Sequence, residues 1–195
     1  MMTKELLYIY SFYKFFNLKN KNEIKYEIEK FLSDKIIRGT LLLADEGING
    51  SISGSLKDLD NIIKFIQKIL NIKYLEIKIN KVDFLPFNRM KVRLKKEIVS
   101  LGVGYFNVEQ QKGKLVDPIK WDKLISDSKT KLIDVRNIFE IEIGNFLNAK
   151  NPQTKSFREF PLQIEKLNLN KNDQIAMYCT GGIRCEKASS YLKMK

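Results

Sequence analysis

The chain contains no histidine, and that absence removes a large part of hydrolytic and metal chemistry. A Cys-His protease, a Ser-His-Asp triad and a two-His iron site all need an imidazole that these 195 residues do not supply. Cysteine is nearly as scarce, with two in the whole chain. Two thiols build neither a disulfide framework nor a four-thiolate zinc centre. No metal site is expected, and the compartment should be reducing and cytoplasmic. Long apolar runs are missing as well. The opening stretch MMTKELLYIYSFYKFF is interrupted by Lys4, Glu5 and Lys14. It falls short of the ~20 apolar residues of a membrane span, and no small-residue cleavage site follows. No membrane association is expected.

Acidic residues are in the minority. Lys and Arg number 35 against 23 Asp and Glu, a formal net charge of +12 that favours an acidic partner such as nucleic acid. Lys, Ile and Asn are all abundant, so part of this excess is the compositional bias of an AT-rich genome. What is plentiful is apolar: 44% hydrophobic residues, 11% aromatic, which excludes a disordered tail and permits a sizeable core.

The first half reads as an α+β module. LLYIYSFY (6–13) is rich in aromatic and β-favouring residues, as a strand requires. In NKNEIKYEIEKFL, Ile24, Ile28, Phe31 and Leu32 recur at helical spacing. GTLLLADEGINGSISGS gives a strand at 40–44, a turn carrying Gly47 and Gly50, and a second strand near 51–53. The ADEGINGS stretch reads as an ordinary β-turn or, with Asp45 and Glu46, as a close approach to a ligand. Ser55 caps the next helix with Asp58 three residues on. Leu56, Leu59, Ile62, Ile63, Ile66 and Leu70 form that helix's apolar face. YLEIKIN closes the unit as a strand with Leu75, Ile77 and Ile79 on one side. The order β-α-β-β-α-β predicts a ferredoxin-like domain over 1–82.

A basic strand and linker are expected over 83–114. Within it Arg89, Lys91, Arg93 and Lys95 alternate with Met90, Val92 and Leu94, which places the cations on one strand face. That row, with Lys96, is a candidate tRNA-phosphate contact; a solvated strand face is the plainer alternative. The domain boundary is expected between about 100 and 115, where Gly102, Gly104 and Gly113 loosen the chain.

Residues 115–195 alternate helix and strand, which implies an α/β domain with a parallel sheet. Trp121 anchors a first helix, KLIDVRN is a buried strand ending in Asp134 and Arg136, SFREFPLQIEKLNL is a short helix, and QIAMYC is the next strand. Asp134 and Arg136 either face a site or pair to hold loops. The strand then delivers Cys179 onto a turn, Thr180-Gly181-Gly182-Ile183-Arg184, ahead of a helix starting near Glu186. Gly181 and Gly182 let successive N–H groups converge on an anion, and the helix N-terminus and Arg184 add positive charge. Such surroundings lower a cysteine pKa from about 8.5 to roughly 3.5–7.5. Cys179 is therefore expected to be a nucleophile without any histidine. Cys185 reads either as a resolving thiol or as a small apolar helix residue.

IDVRN, IGNFLNAKNP, SFREFP and MYCTGGIRCEKASSYL together resemble the rhodanese domain of the bacterial tRNA uridine hydroxylase family. GTLLLADEGINGSISGS and VRLKKEIVSLG resemble that family's N-terminal domain and linker. The resemblance implies oxygen-dependent 5-hydroxylation of the wobble uridine of tRNA, with molecular oxygen as co-substrate and no tightly bound cofactor. It carries over Cys179 as the required cysteine, together with its loop. Asn145 stands where the family usually has histidine in IGHF. A rhodanese fold normally continues past the helix in which Lys195 falls, so this half is expected to be incomplete at its C-terminus. A sulfurtransferase carrying a persulfide on Cys179 and a non-catalytic RNA-binding module are the alternatives. A cysteine phosphatase fits less well, because the loop from Cys179 to Arg184 is one residue shorter than such enzymes use.

Overall fold

In the computed structural model, which describes residues 6–195, the chain divides into two compact units between Ile98 and Val99. The first is built on a five-stranded sheet. β1 (Leu7–Phe15), β2 (Arg38–Ala44), β3 (Gly47–Ser55), β4 (Ile77–Val82) and β5 (Met90–Leu94) lie in the order β4-β1-β3-β2-β5. β1 is antiparallel to both its neighbours, β2 is antiparallel to β3, and β5 is parallel to β2. Helices α1 (Lys21–Leu32) and α2 (Leu56–Ile69) cover one face. Alternation decides which side chains meet them: Tyr10, Phe12, Leu41, Leu43, Ile48, Ile52 and Val92 join Ile28, Leu59, Ile62 and Ile66 in a single core.

The first four strands and two helices give the expected ferredoxin-like arrangement. The Ser55 hydroxyl accepts from the Asp58 N–H at 3.2 Å and donates to its carboxylate at 2.9 Å, as the cap predicted. Several expectations need correction. β3 begins at Gly47 and runs through Gly50, so the turn is Asp45–Glu46 alone. Gly47 takes the positive φ (139°), whereas Gly50 sits where a Cβ would lie 2.4 Å from Leu41. The buried Glu46 accepts the Ile98 N–H at 2.6 Å, a structural role for the hairpin. Leu56 and Ile79 are exposed rather than in the core. β5, expected as a joining strand, is the sheet's fifth member, and its Lys95 N–H and Arg89 carbonyl extend the pairing with β2.

The second unit holds α3 (Val108–Gln111), α4 (Pro118–Ser126), β6 (Thr130–Asp134), α5 (Ile138–Ile141), α6 (Phe160–Ile164), β7 (Gln174–Tyr178) and α7 (Ile183–Met194). β6 and β7 are parallel, and Lys150 adds a parallel bridge to Ile133. Short 3₁₀ turns flank α6 on both sides, so SFREFPLQIEKLNL is a broken helix rather than one continuous segment. Ile133, Val135, Phe160, Ala176, Ala188 and Tyr191 are buried. Among the described residues no helix is long and apolar enough to cross a membrane.

Candidate active site at the cysteine loop

β7 and β6 run side by side with Tyr178 opposite Asp134, so both strands end at the same level. Cys179 follows β7 directly, and α7 begins at Ile183, three residues earlier than the sequence suggested. The turn closes because Gly182 takes φ 91°, a conformation that a side chain would strain. That conformation aims the Gly182 N–H at the Cys179 Sγ, 3.1 Å away.

Cys179 is pulled down to about 5. The largest cause is a hydrogen bond from the Cys185 thiol. Burial opposes the shift, and the backbone N–H groups of Cys185 and Gly182 outweigh it with help from the charge of Arg184. The proton stays on Cys185, whose thiol is pushed strongly upward by its bond to Cys179 and by burial. The two cysteines thus divide one task, one carrying charge and the other donating to it. Neither is in a disulfide.

Arg184 contributes differently from the expectation. Its guanidinium is engaged with Glu140 by two bonds of 2.6 Å, and Nη2 also donates to the Thr180 hydroxyl at 3.1 Å. Thr180 in turn donates to Glu140. Arg184 therefore works first as a clamp on the loop and only second as a charge beside the sulfur. Glu140, unremarked in the sequence, is held at about 2 by Arg184, with burial opposing and Thr180 and the Asn137 N–H assisting. It is also the third residue of a capping box: Asn137 N–H donates to its carboxylate at 3.0 Å. The spacing N-x-x-E in NIFE was the signal that could have found it.

Beneath the loop lies a second network. Asp134 is fully buried, and Arg136 meets it with Nε at 3.0 Å and Nη2 at 2.7 Å while its own N–H donates at 3.0 Å. The Tyr178 hydroxyl donates to the same carboxylate at 2.7 Å. Burial alone would raise Asp134, but the bonds from Arg136 and Tyr178 more than reverse it. Arg136 also donates to the carbonyls of Glu140 at 3.2 Å and Gly144 at 2.6 Å. The pair thus holds the segment that carries Glu140. Trp121 and Phe146 pack edge-on against Tyr178, with ring centroids 6.0 and 4.8 Å away. Trp121 is half-buried in this aromatic group rather than a core anchor.

Lys91 and Arg93 stand on β5 in the first unit, on the face opposite Val92, flanked by Arg89, Lys95 and Lys96. They are no part of the cysteine loop's bonding.

Residues 7–98 match the UPF0176 acylphosphatase-like domain, and residues 118–195 match the rhodanese-like domain. Among solved structures, an acylphosphatase from Coxiella burnetii aligns with 48% of this chain and 100% of its own at 8% identity and a TM-score of 0.35. The tRNA uridine(34) hydroxylase of Wolbachia pipientis wMel is 43% identical over 185 residues, which is 95% of this chain and 67% of the relative. That of the Wolbachia of Brugia malayi is 44% identical, over 95% of this chain and 68% of its own length. An acylphosphatase-like unit followed by a rhodanese-like unit, with identity at this level along nearly the whole chain, makes this protein a member of the tRNA uridine(34) hydroxylase family.

Proposed function

We propose that this chain hydroxylates carbon 5 of uridine 34 in tRNA, with Cys179 as the attacking group. The observation that carries the reading is the loop geometry at Cys179, whose Sγ lies 3.1 Å from the Gly182 N–H and is drawn down to about 5 by Cys185 and the backbone N–H groups. A thiolate of this kind can add to carbon 6 of uracil. The sulfur–carbon bond forms, and the π pair of the C5–C6 double bond passes into the ring as an enolate. Carbon 5 then bonds to one oxygen of O2, the co-substrate. The second oxygen leaves as water on two electrons and two protons from a pair of thiols, which become a disulfide. Loss of the carbon 5 proton and release of Cys179 restore the double bond.

Thr180, Gly181, Gly182 and Ile183 shape the loop, Arg184 fixes it to Glu140, and Asp134 and Arg136 hold the segment behind. Arg89, Lys91, Arg93, Lys95 and Lys96 give a basic row suited to RNA phosphates. With a cytoplasmic tRNA substrate, the absence of structural disulfides is consistent chemistry.

Nucleoside mass spectrometry tests the reading in cells deprived of their own hydroxylase. 5-Hydroxyuridine derivatives should return with this chain and not with Cys179→Ala. Restoration by both chains, or by neither while both are soluble, would refute it.

A further inference from the structure

In the first unit one face of the sheet packs on α1 and α2, and the pairing register identifies what stands on the other. One row crosses all five strands: Lys78 beside Ser11, Ser11 beside Ser51, Ser51 beside Thr40, and Thr40 beside Lys91. A cation closes each end and three hydroxyls lie between, the central pair joined by a Ser11–Ser51 hydrogen bond of 2.9 Å. The next row on the same face is Tyr13, Asn49, Leu42 and Arg93. Four strand spacings make the first row about 19 Å wide. Lys78 and Arg93 are exposed at the two edges, and Ser11, Thr40, Leu42, Ser51 and Lys91 are half-buried.

The distribution of charge is uneven. No strand of this sheet carries a carboxylate. The unit's helices hold Glu23, Glu27, Glu29, Asp58 and Asp60 on the covered side. The unit's other described carboxylates, Asp34, Asp45, Glu46, Glu76, Asp83 and Glu97, lie in the turns and loops between elements. This face presents cations at its margins and, at its middle, the hydroxyls of Ser11, Ser51 and Thr40 beside Leu42, with Asn49 next to them donating to the Ile98 carbonyl at 3.0 Å. Phosphates suit the margins, and unstacked bases suit the middle. A duplex offers its bases to neither, since they are paired and stacked inside.

We infer that this open sheet face binds the single-stranded nucleotides of the tRNA anticodon loop. The inference rests on the hydroxylase reading for the identity of the RNA, and it deepens that reading by naming the surface that recognises it. Cations at both edges fix the backbone across the strands, and Ser11, Ser51 and Thr40 address base edges between them. Recognition of the loop is thus assigned to the first unit, and chemistry to the cysteine loop.

The test compares binding of an anticodon stem-loop RNA and of a blunt RNA duplex of equal length to the full chain. Lys78→Glu with Lys91→Glu should weaken stem-loop binding at least roughly tenfold, and the log–log salt dependence should flatten by about 1.4 for two lost contacts to a single strand. Lys57→Glu with Lys64→Glu on α2, which changes net charge equally, should stay within about twofold. Thr40→Val keeps the strand and all cations, and should weaken the stem-loop while leaving the duplex unchanged. Equal loss from the α2 pair, or stem-loop binding untouched by both sheet-face variants, would overturn the inference. Nucleoside analysis of the same variants separates the two ideas. Full hydroxylation by sheet-face variants that bind normally removes the surface and leaves the function. An unaltered chain that neither binds the stem-loop nor forms 5-hydroxyuridine removes both.

Discussion

Cys179 and Cys185 are one unit chemically, and the pH behaviour of the pair follows from which of them keeps the proton. Cys179 is shifted down, so its thiolate exists above about pH 5 and is lost as pH falls through that value. Alkylation of Cys179 by iodoacetamide, read by peptide mass spectrometry, should stay near its maximal rate from pH 8 to 6 and halve near pH 5. An unassisted thiol would already be half-protonated near 8.5. Cys185→Ala removes the largest of the lowering causes, and should move the midpoint upward by roughly one to two pH units, the worth of one hydrogen bond to a charged group. Cys185→Ser retains a donor and should recover part of that movement. A midpoint unchanged in Cys185→Ala would place the stabilisation in the backbone alone. Glu140 makes a contrasting case. Its pKa is depressed to about 2, so its stabilising contribution is full above the ordinary carboxylate range and is lost progressively as pH falls from that range through 2. Between pH 5 and 8 the clamp is constant. Glu140→Gln should therefore slow hydroxylation by roughly ten- to a hundredfold through misplacement of the loop, without raising the Cys179 midpoint. A raised midpoint with unchanged turnover would contradict the positioning role.

At the scale of elements, the site depends on the ends of β6 and β7 staying level. Asp134 is fully buried at that point and receives Arg136 and Tyr178. Asp134→Ala leaves the Arg136 guanidinium, itself only 17% exposed, without its carboxylate. Breaking a buried pair this way costs about 3–5 kcal/mol, so the second unit's melting temperature should drop by more than about 10 °C. Near-UV circular dichroism, with Trp121 in the affected aromatic group, would follow it; a drop of only a degree or two would show that the pair is replaceable. α7 is anchored separately. Its Ser190 hydroxyl donates to the Val108 carbonyl at 3.0 Å, Gly113 N–H donates to Ser189 at 2.9 Å, and the fully buried Lys187 donates to the Val99 carbonyl at 2.9 Å. The helix that carries Arg184 and Cys185 is thus tied to residues 99–113, which precede the rest of the unit.

Over the whole molecule, legibility tracked how local each signal was. Helices with apolar periodicity, the Ser55 cap and the strand-turn-helix around Cys179 are encoded within a few residues, and each is present, with the helix after Cys179 starting at Ile183 rather than near Glu186. Glu140 lies 44 residues from Arg184 in the chain, so nothing local linked its capping role to the loop. From the sequence alone Arg184 therefore reads as a charge beside Cys179 rather than as a clamp on Glu140. β5 was readable as a strand, but its seat beside β2 depends on a crossover from the opposite edge of the sheet, which no local pattern specifies. The two rows on the open face became visible only once register joined residues from five strands. Composition, by contrast, spoke at the largest scale. A net charge of +12 points to an acidic partner, and the strands of the first unit's sheet add to it with cations and no carboxylate of their own.

We propose that Cys179 directs molecular oxygen to carbon 5 of uridine 34. The most direct test incubates the purified chain with unmodified tRNA and a dithiol under ¹⁸O₂, and weighs the released nucleosides. The expected product is 5-hydroxyuridine one ¹⁸O heavier than its natural form, with none formed by Cys179→Ala. Hydroxyuridine carrying oxygen from water, or formed equally by the alanine variant, would contradict it.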